Sequence, residues 1–171
     1  IATGLRDIDT ILGGLHPSDL VILAGRPSMG KTALATNIAF NAAYDYKNET
    51  DSEGRKKIID GGVVGFFSLE MSAEQLAARI LSEQTEIASD KMRKGKLTND
   101  EFDRLVVASQ QLHNLPIYID DTPALSVSML RTRARRLKRE HGLGLVIVDY
   151  LQLMESSKRT ENRVQEIAEI T

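Results

Sequence analysis

A glycine-rich segment at residues 25–32 limits what this chain can fold into more than any other feature of its sequence. The segment reads GRPSMGKT and fits the pattern G-x-x-x-x-G-K-[ST]. The glycines of that pattern let successive backbone N–H groups surround one anion, while its lysine contacts the terminal phosphates and its last hydroxyl binds Mg²⁺. The segment therefore predicts a phosphate-binding loop. The alternative is a glycine-punctuated turn that contains Lys-Thr by chance.

The sequence on either side of the segment favours the phosphate loop. The apolar residues 20–23 come before it and predict a buried parallel strand. Residues 31–46 follow it with an alanine-rich helical pattern. Lys31, placed against the terminal phosphates, is also a predicted catalytic residue. We expect the nucleotide to contact nine consecutive residues, which are Gly25, Arg26, Pro27, Ser28, Met29, Gly30, Lys31, Thr32 and Ala33.

Strand and helix patterns alternate along the rest of the chain. Three apolar runs predict strands, at residues 63–69, 117–120 and 145–148. Capping boxes at 72–75 and 98–101, and a capping Ser126, predict the helix starts between them. Residues 47–57 contain no apolar side chain and predict an exposed loop. This alternation predicts an α/β fold with a mainly parallel sheet and helices on both faces.

Two carboxylates follow predicted strands and complete a candidate hydrolytic site. Asp149 comes directly after four apolar strand residues, which is the Walker B arrangement of a carboxylate that faces Mg²⁺. Glu70 follows the strand at 63–69 and has the longer reach that a water-orienting base needs. It could also serve as an acid at a helix entrance, since a helix begins nearby. Because ligands bind at the carboxyl ends of parallel strands, we expect both residues beside the phosphate loop.

Composition narrows the class of protein. The 171 residues suit one domain, and 42% hydrophobic with 27% charged residues is typical of a soluble globular protein. No apolar run approaches the ~20 residues of a membrane span and no signal peptide opens the chain, so we expect a cytoplasmic protein. The absence of cysteine excludes disulfides and thiolate metal sites. The net charge of −2 requires any nucleic-acid binding to come from a local basic surface.

Three blocks of the sequence, in order, resemble the motor domain of the bacterial replicative DNA helicase, the DnaB family. They read GRPSMGKT at 25–32, FSLEMS at 67–72 and VIVDYLQL at 146–153. The resemblance implies a RecA-like P-loop NTPase core that forms a homo-hexameric ring. Such a ring hydrolyses ATP with Mg²⁺ to translocate on single-stranded DNA and unwind duplex at the replication fork.

The resemblance also assigns roles to individual residues. It implies that Lys31 and Thr32 contact phosphate and Mg²⁺, that Glu70 orients the attacking water, and that Asp149 holds the metal through water. It further implies partners, namely primase and a helicase loader. A basic stretch after the Walker B strand is a candidate for contacts with DNA phosphates, through Lys158, Arg159 and Arg163.

The sequence alone leaves open the extent of the domain and three rival functions. The chain starts at Ile1 and ends within a helical pattern at 164–170, so we expect residues 1–171 to be a single RecA-like ATPase domain, incomplete at its carboxyl end and lacking the family's amino-terminal domain. One rival is a RecA-like recombination or repair ATPase. Another is a small-molecule P-loop kinase, and a nucleotide-gated assembly module without useful catalysis is a third possibility.

Overall fold

The structure is a computed structural model, and it describes residues 1–154 apart from 27 and 55. The described helices are α1 Arg6–Leu12, α2 Lys31–Tyr44, α3 Ala73–Thr85, α4 Ser89–Arg93, α5 Asn99–Asn114 and α6 Val127–His141. The described strands are β1 Lys47–Thr50, β2 Lys56–Asp60, β3 Val63–Ser68, β4 Ile117–Asp120 and β5 Leu143–Asp149, and a short 3-10 helix spans Leu151–Leu153.

A parallel sheet of three strands forms the centre of the described structure. Its order is β4-β3-β5, and β3 pairs in parallel with both neighbours. Gly65 lies opposite Tyr118 on one side and opposite Val146 on the other. All six residues of β3 are buried, as its unbroken apolar run predicts for a strand covered on both faces.

Helices cover both faces of this sheet, which confirms the predicted α/β architecture. On one face, Val64 and Phe66 of β3 pack with Leu76 of α3 and with the alanines of α2. On the other face, Phe67 packs with Leu125 and with apolar residues of α6. Neighbouring residues of one strand point to opposite faces, so β3 contributes to both clusters.

Capping signals in the sequence correctly predicted the starts of α3 and α5 and the end of α6. At the start of α3, the Ser72 side chain accepts a hydrogen bond from Gln75 N–H while the Gln75 side chain accepts one from Ser72 N–H. The same reciprocal box, formed by Thr98 and Glu101, starts α5. Gly142 ends α6 in the left-handed conformation at φ 76°.

The strand predicted at residues 20–23 is not present, and that prediction is wrong. All four side chains are exposed, at 68%, 57%, 63% and 45% in chain order. Within the described residues the sheet ends at β5, and residues 20–23 belong to neither of the sheets. A strand depends on N–H and C=O groups of a neighbouring strand, which an apolar composition alone does not supply.

The predicted loop at 47–57 is exposed but contains regular structure. Strands β1 and β2 pair antiparallel, with Thr50 opposite Lys56, and every described residue of both strands is exposed. The hairpin returns to the core through Gly61, which has φ 59°. A Cβ at Gly61 would lie 2.4 Å from the Ala42 carbonyl oxygen, so only glycine allows this close approach.

Candidate nucleotide site

The phosphate loop makes a tight turn directly before α2. Met29 N–H donates to the Arg26 carbonyl at 3.3 Å, and Ser28 has a positive φ of 62°. Gly30 precedes the first residue of α2 with φ 85°, a conformation that is strained for residues with a Cβ. Pro27, which is also in the predicted loop, lies outside the described residues. Two residues in the left-handed conformation, Ser28 and Gly30, therefore connect the loop to the start of α2.

The amino-terminal end of α2 can accept an anion. No side chain of this fully described helix caps its first N–H groups, and its first turn contains no acidic residue. The first N–H groups of a helix have no intrahelical acceptor and carry the positive end of the helix dipole. This end of α2 therefore provides donors suited to phosphate, as the sequence pattern predicts.

Lys31 folds its ammonium group back over the loop. Its Nζ donates to the Gly25 carbonyl at 2.9 Å and to the Arg26 carbonyl at 3.1 Å. The side chain thus holds its charge above the turn that the phosphates would approach. A phosphate oxygen would attract the same ammonium protons more strongly than a neutral carbonyl oxygen does, because it carries a negative charge.

Thr32 and Asp149, which are 117 residues apart, meet at the centre of the site. The Thr32 hydroxyl donates to Asp149 Oδ2 at 2.7 Å. Asp149 ends β5 and is only 7% exposed. A hydroxyl and a carboxylate side by side are the oxygen ligands that Mg²⁺ uses together with substrate phosphates and water. The two residues therefore fit a Mg²⁺ ion bound with a nucleotide.

Glu70 is connected to this pair through the backbone. It lies in a bend directly after β3, and its side chain is exposed. The preceding residue, Leu69, donates its N–H to the Asp149 carbonyl at 2.8 Å. Hydrogen bonds therefore link Thr32 to Asp149 and Asp149 to Leu69, the residue before Glu70.

The sequence analysis missed two carboxylates at the end of β4. Asp121 Oδ2 accepts a hydrogen bond from Ala73 N–H, the first residue of α3, at 2.9 Å. Asp120 accepts from Arg133 of α6 at 2.7 Å and from Thr122 N–H at 3.1 Å. Asp120 ends β4 and Asp121 follows it, which is the same signal that identified Asp149, so the sequence did contain a pointer to them.

Charge and burial act in opposite directions on Asp120. Burial by itself raises the pKa of this carboxyl, but hydrogen bonds from Arg133 and Thr122 outweigh it and hold the pKa below its ordinary value. Asp120 is therefore ionised at neutral pH, and it binds α6 to the carboxyl end of the sheet.

Three further features concern residues outside the loop: the candidate DNA contacts, clusters of metal ligands and membrane-spanning helices. Lys158, Arg159 and Arg163, the candidates for DNA contact, lie outside the described residues. Residues 1–154, positions 27 and 55 aside, contain no cluster of three or more His, Cys, Asp or Glu residues able to hold a metal ion. In the same part of the chain, no helix combines the length and apolar character that crossing a lipid bilayer requires.

Comparison with known proteins gives a family match over the whole chain. A family model described as the DnaB-like helicase C terminal domain matches residues 1–171. Replicative DNA helicase DnaB of Rickettsia prowazekii is 53% identical over 173 residues, a match that covers 100% of this chain and 34% of that protein. The Geobacillus stearothermophilus protein of the same name is 46% identical over 172 residues, covering 100% and 35%. The chain thus spans about a third of the length of these curated relatives.

Two solved structures share the fold. One is described as the structure of a DnaB-like replicative helicase and its interactions with primase, and it matches with a TM-score of 0.81 at 28% identity over 99% of this chain and 39% of that one. The other, described as an ATPase domain, matches with a TM-score of 0.83 at 28% identity over 99% of this chain and 56% of that one. These matches confirm the RecA-like α/β fold expected from the sequence.

Proposed function

This chain belongs to the family of DnaB-like helicase C-terminal domains, and we propose that it is the ATP-hydrolysing motor domain of a replicative DNA helicase. The observation that carries the proposal is the 2.7 Å contact between the hydroxyl of Thr32, in the phosphate-loop pattern, and the buried carboxylate of Asp149. The family match over the whole chain favours this function over the recombination ATPase and the small-molecule kinase.

Each predicted site residue has a distinct role in the proposed reaction. The backbone of residues 25–33 and the start of α2 bind the phosphates, and Lys31 exchanges its loop carbonyls for phosphate oxygens. Thr32 and Asp149 hold Mg²⁺, Asp149 through water. When bound, Mg²⁺ supplies positive charge that offsets the charge developing on the transferred phosphoryl group.

Glu70 has the role of orienting the attacking water. Its exposed carboxylate can accept a proton or hydrogen bond from water, and its backbone neighbour is bonded to Asp149. A positioned base of this kind contributes about 10²- to 10⁴-fold to a rate. Hydrolysis, rather than binding, is therefore the step that depends on Glu70.

The proposed partners follow from the family. They are single-stranded DNA, further copies of the same chain in a six-membered ring, primase and a loader. Primase is supported by the structural relative whose description includes interactions with primase. Lys158, Arg159 and Arg163 are the proposed DNA contacts.

The test is a Glu70→Gln substitution in the full-length protein that contains this chain. We expect nucleotide affinity, measured with a fluorescent ATP analogue, to stay unchanged. DNA-stimulated ATP hydrolysis should fall more than about tenfold, since the amide cannot act as a base. The matched control is Glu74→Gln, the same change at an exposed acid in the first turn of α3, which should leave both quantities unchanged.

Two results would contradict the proposal. Wild-type turnover in Glu70→Gln would remove the catalytic assignment. An absence of ATP hydrolysis by the wild-type protein, with and without single-stranded DNA, would leave the nucleotide-gated assembly module as the better function.

A further inference from the structure

Residues 68–71, which we call the Glu70 turn, connect β3 to the residue that caps α3. The two residues flanking Glu70 are anchored in different parts of the core. Leu69 is buried in the cluster that contains Phe67, and Met71 packs against the cluster on the opposite face of the sheet. Glu70 itself is exposed and lies outside any helix or strand. Its position therefore depends on what fixes the turn.

Hydrogen bonds fix the two ends of the turn. At the β3 end, Leu69 N–H donates to the Asp149 carbonyl at 2.8 Å. Beyond its other end, Ala73 N–H donates to Asp121 Oδ2 at 2.9 Å. These contacts attach the turn to the ends of β5 and β4, the two strands on either side of β3.

The hydroxyl of Ser68 closes the turn internally. Its Oγ donates to the Met71 carbonyl at 2.7 Å and accepts from Met71 N–H at 3.3 Å. Ser68 is 1% exposed and lies directly opposite Asp149 in the parallel ladder. One buried hydroxyl thus holds both backbone polar groups of the residue after Glu70, in register with the carboxylate proposed to hold the metal.

We propose that Ser68 is a positioning residue for Glu70. Without its hydroxyl, the N–H and C=O of Met71 lose their shared partner, and the backbone on the carboxyl side of Glu70 becomes free to shift. A displacement of about 1 Å can cost 10²-fold in rate when a reacting group must be aligned. The inference rests on the proposed function, because it requires Glu70 to be the group that orients water.

The test compares Ser68→Thr with Ser68→Val in the full-length protein, since threonine and valine are nearly isosteric with each other. Both add the same bulk to a buried position, and only threonine keeps a hydroxyl. We expect Ser68→Val to lower the kcat of ATP hydrolysis at least about tenfold relative to Ser68→Thr, with KM and nucleotide affinity unchanged. Ser68→Ala also removes the hydroxyl but adds no bulk, so it replaces Ser68→Val in this comparison if the valine variant folds poorly. It should lower kcat in the same way.

The control removes an equivalent hydroxyl at the far end of α3. Thr85 is 5% exposed, and its Oγ1 donates to the Leu81 carbonyl at 2.7 Å. Thr85→Val should therefore resemble Ser68→Val in thermal stability while keeping wild-type kcat. Amide hydrogen exchange adds a readout independent of turnover. Exchange in a peptide spanning 69–72 should be faster in Ser68→Val than in Ser68→Thr, and unchanged in Thr85→Val.

A second substitution at Glu70 separates positioning from general destabilisation. In the Glu70→Gln background, Ser68→Val should cause no further fall in kcat, because the group that it positions is already absent. Equal kcat or equal exchange in the Thr and Val variants would overturn the proposal. So would a full additional loss in the Glu70→Gln background. If Ser68→Val has a normal kcat while Glu70→Gln is inactive, this inference alone is overturned. If Glu70→Gln is fully active, the proposed function is overturned, and this inference with it.

Discussion

At the scale of single residues, the proposed phosphate contact of Lys31 can be tested most directly. Lys31 now bonds to two loop carbonyls, at 2.9 and 3.1 Å. We expect Lys31→Ala in the full-length protein to weaken ATP affinity at least about tenfold, because a charge-assisted hydrogen bond contributes roughly 1.5–3 kcal/mol.

Titration with a fluorescent ATP analogue measures this affinity, and thermal unfolding without nucleotide checks the fold. Lys91→Ala is a suitable control, since it removes an ammonium that is paired with Glu101 outside the phosphate loop. Normal ATP affinity in Lys31→Ala would contradict the phosphate role.

Asp120 gives a prediction about pH. Its pKa is lowered in the folded protein, so its contribution to stability is present above its unfolded value of 3.8 and is lost as the pH falls through the lower folded value. Asp120→Asn should reduce the free energy of unfolding by about 1–2 kcal/mol at pH 7, because the ion pair with Arg133 is removed.

Urea unfolding of wild type and variant at several pH values measures the difference, which should shrink below pH 3.8. Glu140→Gln, which removes the exposed pair with Arg136, should change stability by less than about 0.5 kcal/mol. A loss in Asp120→Asn that stays constant with pH would exclude the ionised carboxylate as its cause.

The residues of the candidate site could be predicted from the sequence, but a residue that supports the site, Ser68, could not. Lys31 and Thr32 occupy fixed positions in a short motif, and Asp149 follows an apolar run, so each has a local signal. Ser68 has none. A serine at a strand end is common, and only the fold shows that its hydroxyl reaches Met71.

At the scale of helices and strands, the helix ends were predictable because a cap and its partner lie within four residues of each other. Thr98 illustrates this, since its side chain accepts from Glu101 N–H at 3.2 Å and its own N–H donates to Glu101 at 3.0 Å. The hairpin of β1 and β2 was missed because its strands are wholly exposed and mostly polar, and the two apolar residues of β2, Ile58 and Ile59, are adjacent, which gives no apolar alternation to detect.

The cap of α5 leads to a prediction about stability. Thr98→Ala should lower the free energy of unfolding by about 1 kcal/mol, because it leaves an N–H of the first turn without its acceptor. The control is Ser109→Ala at an exposed position within the same helix, where alanine's higher helix propensity should leave stability unchanged or slightly raised. Urea unfolding measures both variants. Equal effects at the two sites would show that the capping box does not stabilise α5.

At the scale of the whole molecule, the sequence predicted the fold class but not which apolar run is buried. Residues 20–23 and β3 are both rich in large apolar side chains, yet the first run is exposed and the second is central. Burial of β3 follows from its two neighbouring strands and from helices on both faces. Such neighbours come from distant parts of the chain, and the pattern within one run does not report them.

The same substitution in each run tests this difference in the 171-residue chain. Val64 of β3 is 0% exposed, whereas Val21 is 57% exposed. Valine and threonine have nearly the same shape, so Val→Thr changes polarity with little change in volume. Val64→Thr should lower the free energy of unfolding by roughly 1–3 kcal/mol, because it buries a hydroxyl in an apolar cluster.

Val21→Thr should change the free energy of unfolding by less than about 0.5 kcal/mol, as surface substitutions usually do. Urea unfolding of both variants under the same conditions provides the comparison. Equal losses at the two positions would mean that Val21 is covered in solution, in a strand or a contact that the described residues do not form. A loss confined to Val64 would locate the core around β3, whose carboxyl end leads into the Glu70 turn.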